Sequence, residues 1–204
     1  IRRGRRTRIQ EPWISAISLL PNDLDPDDDD GGVSLKIIGI VSSLRAVTGY
    51  AGSSGVTPVT VTAAGHGLTT GTKVLISGYG GHSSYNGLHA VTVINTNTFA
   101  IPVVYVDDNP VKGLWAVLDD TNRLAATSAL GAAVKLELRA DPRETSITYD
   151  PLASAYLNGL AAGETQADTF YYAVEDSHGA AAFALVTIPV AGVNDSPYVA
   201  ANPG

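Results

Sequence analysis

Residues 168–175 read DTFYYAVE, and their alternation decides the fold class. Successive side chains of a strand point to opposite faces, so Phe170, Tyr172 and Val174 fall on one side and Thr169, Tyr171 and Ala173 on the other. Aromatic and β-branched residues fit that pleated surface, and one face reads as core. The same texture recurs outward along the chain. Segments 34–41, 58–63, 73–77, 89–94, 98–104, 113–118, 133–139, 146–149 and 181–190 are short, rich in Val, Ile, Thr or Tyr, and bounded by Gly, Asn, Asp, Ser or Pro. Only 153–162 has a helical pattern, with Leu152, Tyr156, Leu157 and Leu160 at helical spacing ahead of Gly163. The expected fold is all-β, a β-sandwich joined by turns.

The 204 residues are 45% hydrophobic, enough to bury one substantial core or two small ones. With no Cys, disulfides, thiolate metal sites and cysteine nucleophiles are excluded. No apolar run reaches the 18 residues of a membrane-spanning helix. There is no Met either, so the chain reads as a processed product or an excised piece. The net charge is −7, yet Arg2, Arg3, Arg5, Arg6 and Arg8 supply five of the thirteen basic residues. Residues 1–7 are therefore a basic linker or strand on an acidic body. Nucleic acid is not the expected partner, because the body has no basic stripe interleaved with aromatics and repels phosphate.

Two composition shifts mark joints: GYAGSSG at 49–55, rich in Gly and Ser, and LDDTN at 118–122, an acidic turn. About five strands lie between them. The flanks carry too few strands each to close a sandwich alone. The expected organisation is one discontinuous sandwich from 8–48 plus 120–200, interrupted by a small barrel-like β-domain at 50–118. Trp13 is expected in the host core and Trp115 at the insertion boundary.

The densest chemical signal is PNDLDPDDDD at 21–30, with carboxylates at Asp23, Asp25, Asp27 and Asp29 in steps of two. Calcium takes six to eight oxygen ligands at about 2.4 Å, and alternate carboxylates in a turning loop can converge on one ion. The run lacks the sixth-position Gly and twelfth-position Glu of an EF-hand. A solvated acidic turn is the other reading of such a charge run.

LLPNDLDPDDDD at 19–30 resembles the opening signature of VCBS and related cadherin-like repeats of bacterial surface proteins. LNGLAAGETQADTFYYAVEDSHG at 157–179 is similar to that family's second half, and GVNDSP at 192–197 to its inter-repeat linker. The resemblance implies an immunoglobulin-like or cadherin-like sandwich in which calcium sits near the junction between repeats. Carried over position by position, it implies Asp23, Asp25, Asp27, Asp176 and Asp195 as ligands, with Asn194 and Glu11 beside them. Asp28 and Asp30 have no matching place, and Ser177-His178-Gly179 supplies one acidic residue fewer than the family's hairpin.

The middle segment carries a second resemblance. VTAAGHGLTTGTKVLISG at 61–78 and YNGLHAVTVINTNTFAIPV at 85–103 are similar to a small β-module named after the first catalytic-cysteine half-domain of ubiquitin-activating enzymes, which recurs in phage and bacterial surface proteins. Without Cys the thioester chemistry of that enzyme is impossible. His66, His82, His89 and His178 show no zinc-ligand spacing and read as structural or solvent-facing. The GSSG at 52–55 lacks the strand-turn-helix setting of a nucleophile elbow, and the acidic residues lack the pocketed pair of a glycosidase.

No enzyme is expected. The sequence points to a calcium-stiffened structural module of an extracellular surface protein, adhesin or fibre. Its partners are neighbouring copies or repeats meeting head to tail, the basic arm of one beside the acidic junction of the next, with surface glycans or host receptors as further candidates. The alternatives are a carbohydrate-binding module, with Tyr79, Tyr85 and Tyr105 as its aromatic face, and a phage or virion fibre domain.

Overall fold

A computed structural model describes residues 14–17, 35–107, 111–120, 123–139, 145–176 and 179–193, the first of these as backbone. The chain is all-β: the described residues form fifteen strands in four antiparallel sheets.

The stretch that decides the fold class forms β14 (Thr165–Glu175), which turns at Asp176–Ala180 into β15 (Ala181–Ala191). β14 also pairs with β2 (Lys36–Val41), giving the order β15–β14–β2. A second sheet faces this one, in the order β1 (Ile14–Ile17), β13 (Ser146–Asp150), β12 (Ala133–Glu137), β11 (Ala125–Thr127). Phe170, Tyr172 and Val174 do point into the core between the two sheets, against Val134, Leu136, Ile147 and Tyr149.

The helical segment shrinks to a single turn, α1 (Ala155–Asn158). Ser154, the second residue of the expected segment, is its N-cap, its Oγ accepting from Leu157 N at 3.1 Å, and the helix stops at Gly159. Of the four residues at helical spacing, Leu157 is buried but Leu152 and Tyr156 are exposed, so they never made one apolar face.

Among the described residues, strands β3 (Arg45–Ala46) to β10 (Leu114–Val117) pair only among themselves. One sheet runs β3, β10, β6 (Lys73–Ser77), β7 (Gly87–Ala90); the other runs β4 (Gly49–Ala51), β5 (Val59–Thr62), β9 (Thr98–Ile101), β8 (Thr92–Asn95). The self-paired block thus begins at Arg45, ahead of the Gly/Ser joint. The expected strand at 89–94 is two strands in different sheets. Val91 makes the corner, buried, with its N–H donating to Thr72 O at 3.0 Å and its carbonyl accepting from Gly71 N at 2.8 Å. β9 ends where Pro102 has no N–H to give.

The four sheets stack. Between the two sheets of the middle block lies a core of Val59, Val61, Ile76, Tyr85, Phe99 and Trp115. A third core joins this block to the sandwich: Leu75, Ala116 and Leu118 pack on Ile38, Val41 and Ala173, on the far face of β2 and β14. That explains why β2 is buried on both faces, without the alternation of a half-exposed strand.

Candidate junction and metal-ligand positions

The strand leading into the middle block and the strand leading out of it are tied. Ile40 N donates to Arg123 O at 2.9 Å, and Thr127 N donates to Ser42 Oγ at 3.2 Å across 85 residues of chain. Gly39 makes the approach possible: a Cβ there would land on Leu118 Cδ1 and lie 3.0 Å from Arg123 Cβ. Arg123 Nε lies 3.3 Å from Asp120 Oδ1 without hydrogen-bond geometry, and Lys73 pairs with the same carboxylate at 3.1 Å. A groove of about 320 Å³ opens beside them, lined by Lys36, Leu88, Leu118, Arg139 and Glu175 among others. Its ion pairs, including Lys36 to Glu175 at 2.7 Å, are partly exposed, and such pairs contribute about 0–1 kcal/mol each.

On the other side, Arg45 clamps the turn that follows β5. Its guanidinium donates to the carbonyls of Ala64, Gly65 and His66, each at 2.9 Å, and lies 4.7 Å from the centre of the Trp115 ring. Trp115 belongs to the core of the middle block, 5.8 Å from Phe99. Trp13 lies outside the described residues.

Of the expected calcium ligands, Asp176 is described; Glu11, Asp23, Asp25, Asp27, Asn194 and Asp195 lie outside the described residues. Asp176 closes the β14–β15 turn. Its N–H donates to Ala180 O and its Oδ1 accepts from Ala180 N, both at 2.9 Å, and Gly179, at φ 85°, supplies the left-handed residue the turn needs. Among the described residues no three His, Asp or Glu side chains come together as a metal site.

The strands place the anchors of the remaining candidates. β2 starts beside Asp176, Lys36 standing opposite Glu175, and β1 ends level with Ile147, near the start of β13. Ile17 and Lys36, on either side of segment 18–34, thus both stand at the Asp176 end. Ile14, three residues after Glu11, is level with Tyr149 at the opposite end, where β15 also finishes. The 11 residues of β14 span about 36 Å, and the four residues from Ala191 to Asp195 reach at most about 14 Å. Within one copy Asp176 and Asp195 cannot share an ion.

Two histidines are structural. His66 is buried in the GHGL turn, with Nε2 donating to Asn95 O at 2.7 Å and Nδ1 accepting from Leu68 N at 3.0 Å. His89 is buried with Nε2 3.0 Å from Tyr85 O; burial pulls its pKa below the ordinary 6.5, the Tyr85 carbonyl opposing in part. His82 is exposed and bonds Ser84 Oγ at 2.8 Å; His178 lies outside the described residues.

Tyr79 and Tyr85 do not form an exposed aromatic face. They are buried, 4.6 Å apart between ring centres, and Tyr50 packs against both, edge-on to Tyr79 and tilted on Tyr85. Burial, then Tyr85, push the Tyr50 hydroxyl above the ordinary range, where it donates to Lys112 O at 3.0 Å. Composition and alternation alone do not separate tyrosines packed together in a core from a binding platform.

One functional-looking group escaped the sequence reading. Asp168 is 1% exposed, and its carboxylate accepts from Tyr149 Oη at 2.6 Å, Ser128 Oγ at 2.5 Å, and the amides of Leu130 and Thr169 at 2.8 Å. Four donors satisfy a buried charge, and they knit β14, β13 and the β11–β12 turn together. Burial, then the bond to Asp168 and its charge, push the Tyr149 hydroxyl above its ordinary range. The signal was present: Asp168 shares the parity of Phe170 and Tyr172, a carboxylate on an apolar face.

No family model, curated protein or solved structure matches the chain. No helix among the described residues is long and apolar enough to cross a membrane.

Proposed function

We propose that the chain is a calcium-stiffened structural module of an extracellular surface protein, adhesin or fibre, made of a discontinuous cadherin-like sandwich with an inserted β-module. The observation that carries this reading is the third core. Leu75, Ala116 and Leu118 seat the middle block on the outer face of β2 and β14, and the strands on either side of it are bonded to each other. Two cores joined by a third make a stiff body, which is what a spacer needs if a force or a ligand is to act from one end to the other.

Ile17 and Lys36, the strand residues that flank the segment holding the acidic run, stand at the Asp176 end, and the linker Asn194-Asp195 follows β15 in the chain. Stacking copies end to end brings the Asp176 end of one module beside the Asn194-Asp195 end of the next, where one ion can be shared. Calcium then locks neighbours and stiffens the array. The test is calorimetric titration of the protein with calcium. Millimolar or tighter binding that is lost in Asp23→Ala and Asp25→Ala supports the reading; no heat beyond dilution in the unaltered protein contradicts it.

A further inference from the structure

On the Arg45 side of the seam between the sandwich and the middle block lies a cleft of about 260 Å³. The end of β2 and strands β10 and β11 supply its walls, and Val41, Ala116, Val117, Ala125 and Ala126 make them largely apolar. Pockets for drug-sized ligands run from about 300 Å³ upward, so this one suits a smaller guest.

A single charge stands in it. Of the described arginines, Arg123 pairs with Asp120 and Arg139 with Glu137, whereas Arg45 has no carboxylate partner among the described residues and bonds the carbonyls of Ala64, Gly65 and His66 instead. Those bonds use three of the five N–H groups of its guanidinium and leave two open. They fix the group in place without cancelling its charge, and the Trp115 ring, 4.7 Å away, supports it from the side. His66 also lines the cleft, but both of its ring nitrogens are engaged, with Asn95 O and Leu68 N. Trp115 lines it too, and its indole N–H is buried with no hydrogen-bond partner. Buried donors are almost always paired.

We propose that this cleft binds a small monocarboxylate with an apolar body, its carboxylate on the open N–H groups of Arg45 and its hydrocarbon part against Val117, Ala125 and Ala126. A carboxylate meets two unmet needs of one place, a counter-charge for Arg45 and an acceptor beside the indole of Trp115. Charge-assisted bonds to a guanidinium are among the strong ones, and a side chain already held by carbonyls and a ring loses little freedom in making them. A phosphate dianion fits less well. It brings a second negative charge that the lone arginine does not match, into a chain whose net charge is already −7.

The test is NMR of the full chain, following the Arg45 Nε–H and Trp115 indole N–H resonances as sodium butyrate is added at constant ionic strength. Both should move and saturate. Butyramide, which has the same shape and no charge, should bind at least about tenfold more weakly, the loss of a hydrogen bond to a charged group. Ala125→Leu puts a larger side chain on the cleft wall at an exposed position and leaves every arginine in place; it should weaken butyrate at least about tenfold with the cooperative melt unchanged. A parallel titration with N-acetylvaline separates the two sources of such a group: tighter binding than butyrate assigns the cleft to a peptide C-terminus, weaker binding to a free acid. Shifts that grow without saturating, butyramide binding as well as butyrate, or butyrate binding untouched by Ala125→Leu would each overturn the proposal.

Discussion

The amide of Ile40 donates to the carbonyl of Arg123 at 2.9 Å, although the whole middle block lies between them in the chain. Folding that block therefore costs little in loop closure for the sandwich, since its two ends already meet. The meeting depends on Gly39, one residue away. Gly39→Ala puts a methyl into Leu118 and Arg123, and overpacking of this kind destabilises by about 1–3 kcal/mol. A thermal melt of Gly39→Ala should shift down by several degrees; an unchanged midpoint would mean that the crossing is looser than the geometry requires.

The middle block should fold alone, but from the right starting residue. Residues 44–118 retain β3, Arg45 and its bonds to Ala64, Gly65 and His66. Residues 50–118 lose them and expose Trp115. Both fragments melted side by side should show a cooperative transition for the longer and a lower or absent one for the shorter. Equal midpoints would remove the clamp from the account.

Asp168 should be the least replaceable polar residue. Asp168→Ala strands the hydroxyls of Tyr149 and Ser128 and the amide of Leu130 in the interior, a loss of more than about 3 kcal/mol, whereas Tyr149→Phe removes one bond and costs about 1–2 kcal/mol. Urea denaturation of the two variants checks the order. Tyr149 also predicts an alkaline limit. Its folded pKa is raised above the ordinary 10, so its contribution is whole below pH 10 and is lost as the pH climbs above it. Tyr149→Phe should flatten that loss.

His89 works in the opposite direction. Its folded pKa is lowered, so the unfolded chain takes up the proton first, and the contribution is whole above pH 6.5 and falls away as the pH drops below it. His89→Gln should reduce the slope of stability against pH between about 6.5 and 5. A slope identical in both proteins would place the acid sensitivity elsewhere.

What the sequence made legible was local. The alternation around Phe170, Tyr172 and Val174 and the turn residues bounding each segment placed ten strand segments, because period-two burial and turn chemistry are written in neighbouring residues. Strands without that texture, such as β3 at Arg45–Ala46 and β11 at Ala125–Thr127, exist through their partners and were missed. The corner at Val91 was invisible for a related reason: a bend between sheets keeps the strand-like composition on both sides. Long-range facts were less legible still. Nothing near Ala173 in sequence says that Leu75 and Ala116 cover it, and nothing near Tyr79 says that it packs against Tyr50 and Tyr85. For the candidate calcium ligands the sequence offered carboxylate spacing and a resemblance, while the strands alone show which anchors stand at which end.

The central claim is that calcium stiffens this module, and the most direct measurement is the thermal midpoint of the full chain in EDTA and in excess calcium. Free ligand at about 100 times its dissociation constant adds about 2.7 kcal/mol, which for a chain of this size raises the midpoint by about 5–10 °C. The account predicts that rise, its loss in Asp23→Ala and Asp25→Ala, and its survival in Asp30→Ala. The same midpoint in EDTA and in calcium would contradict it.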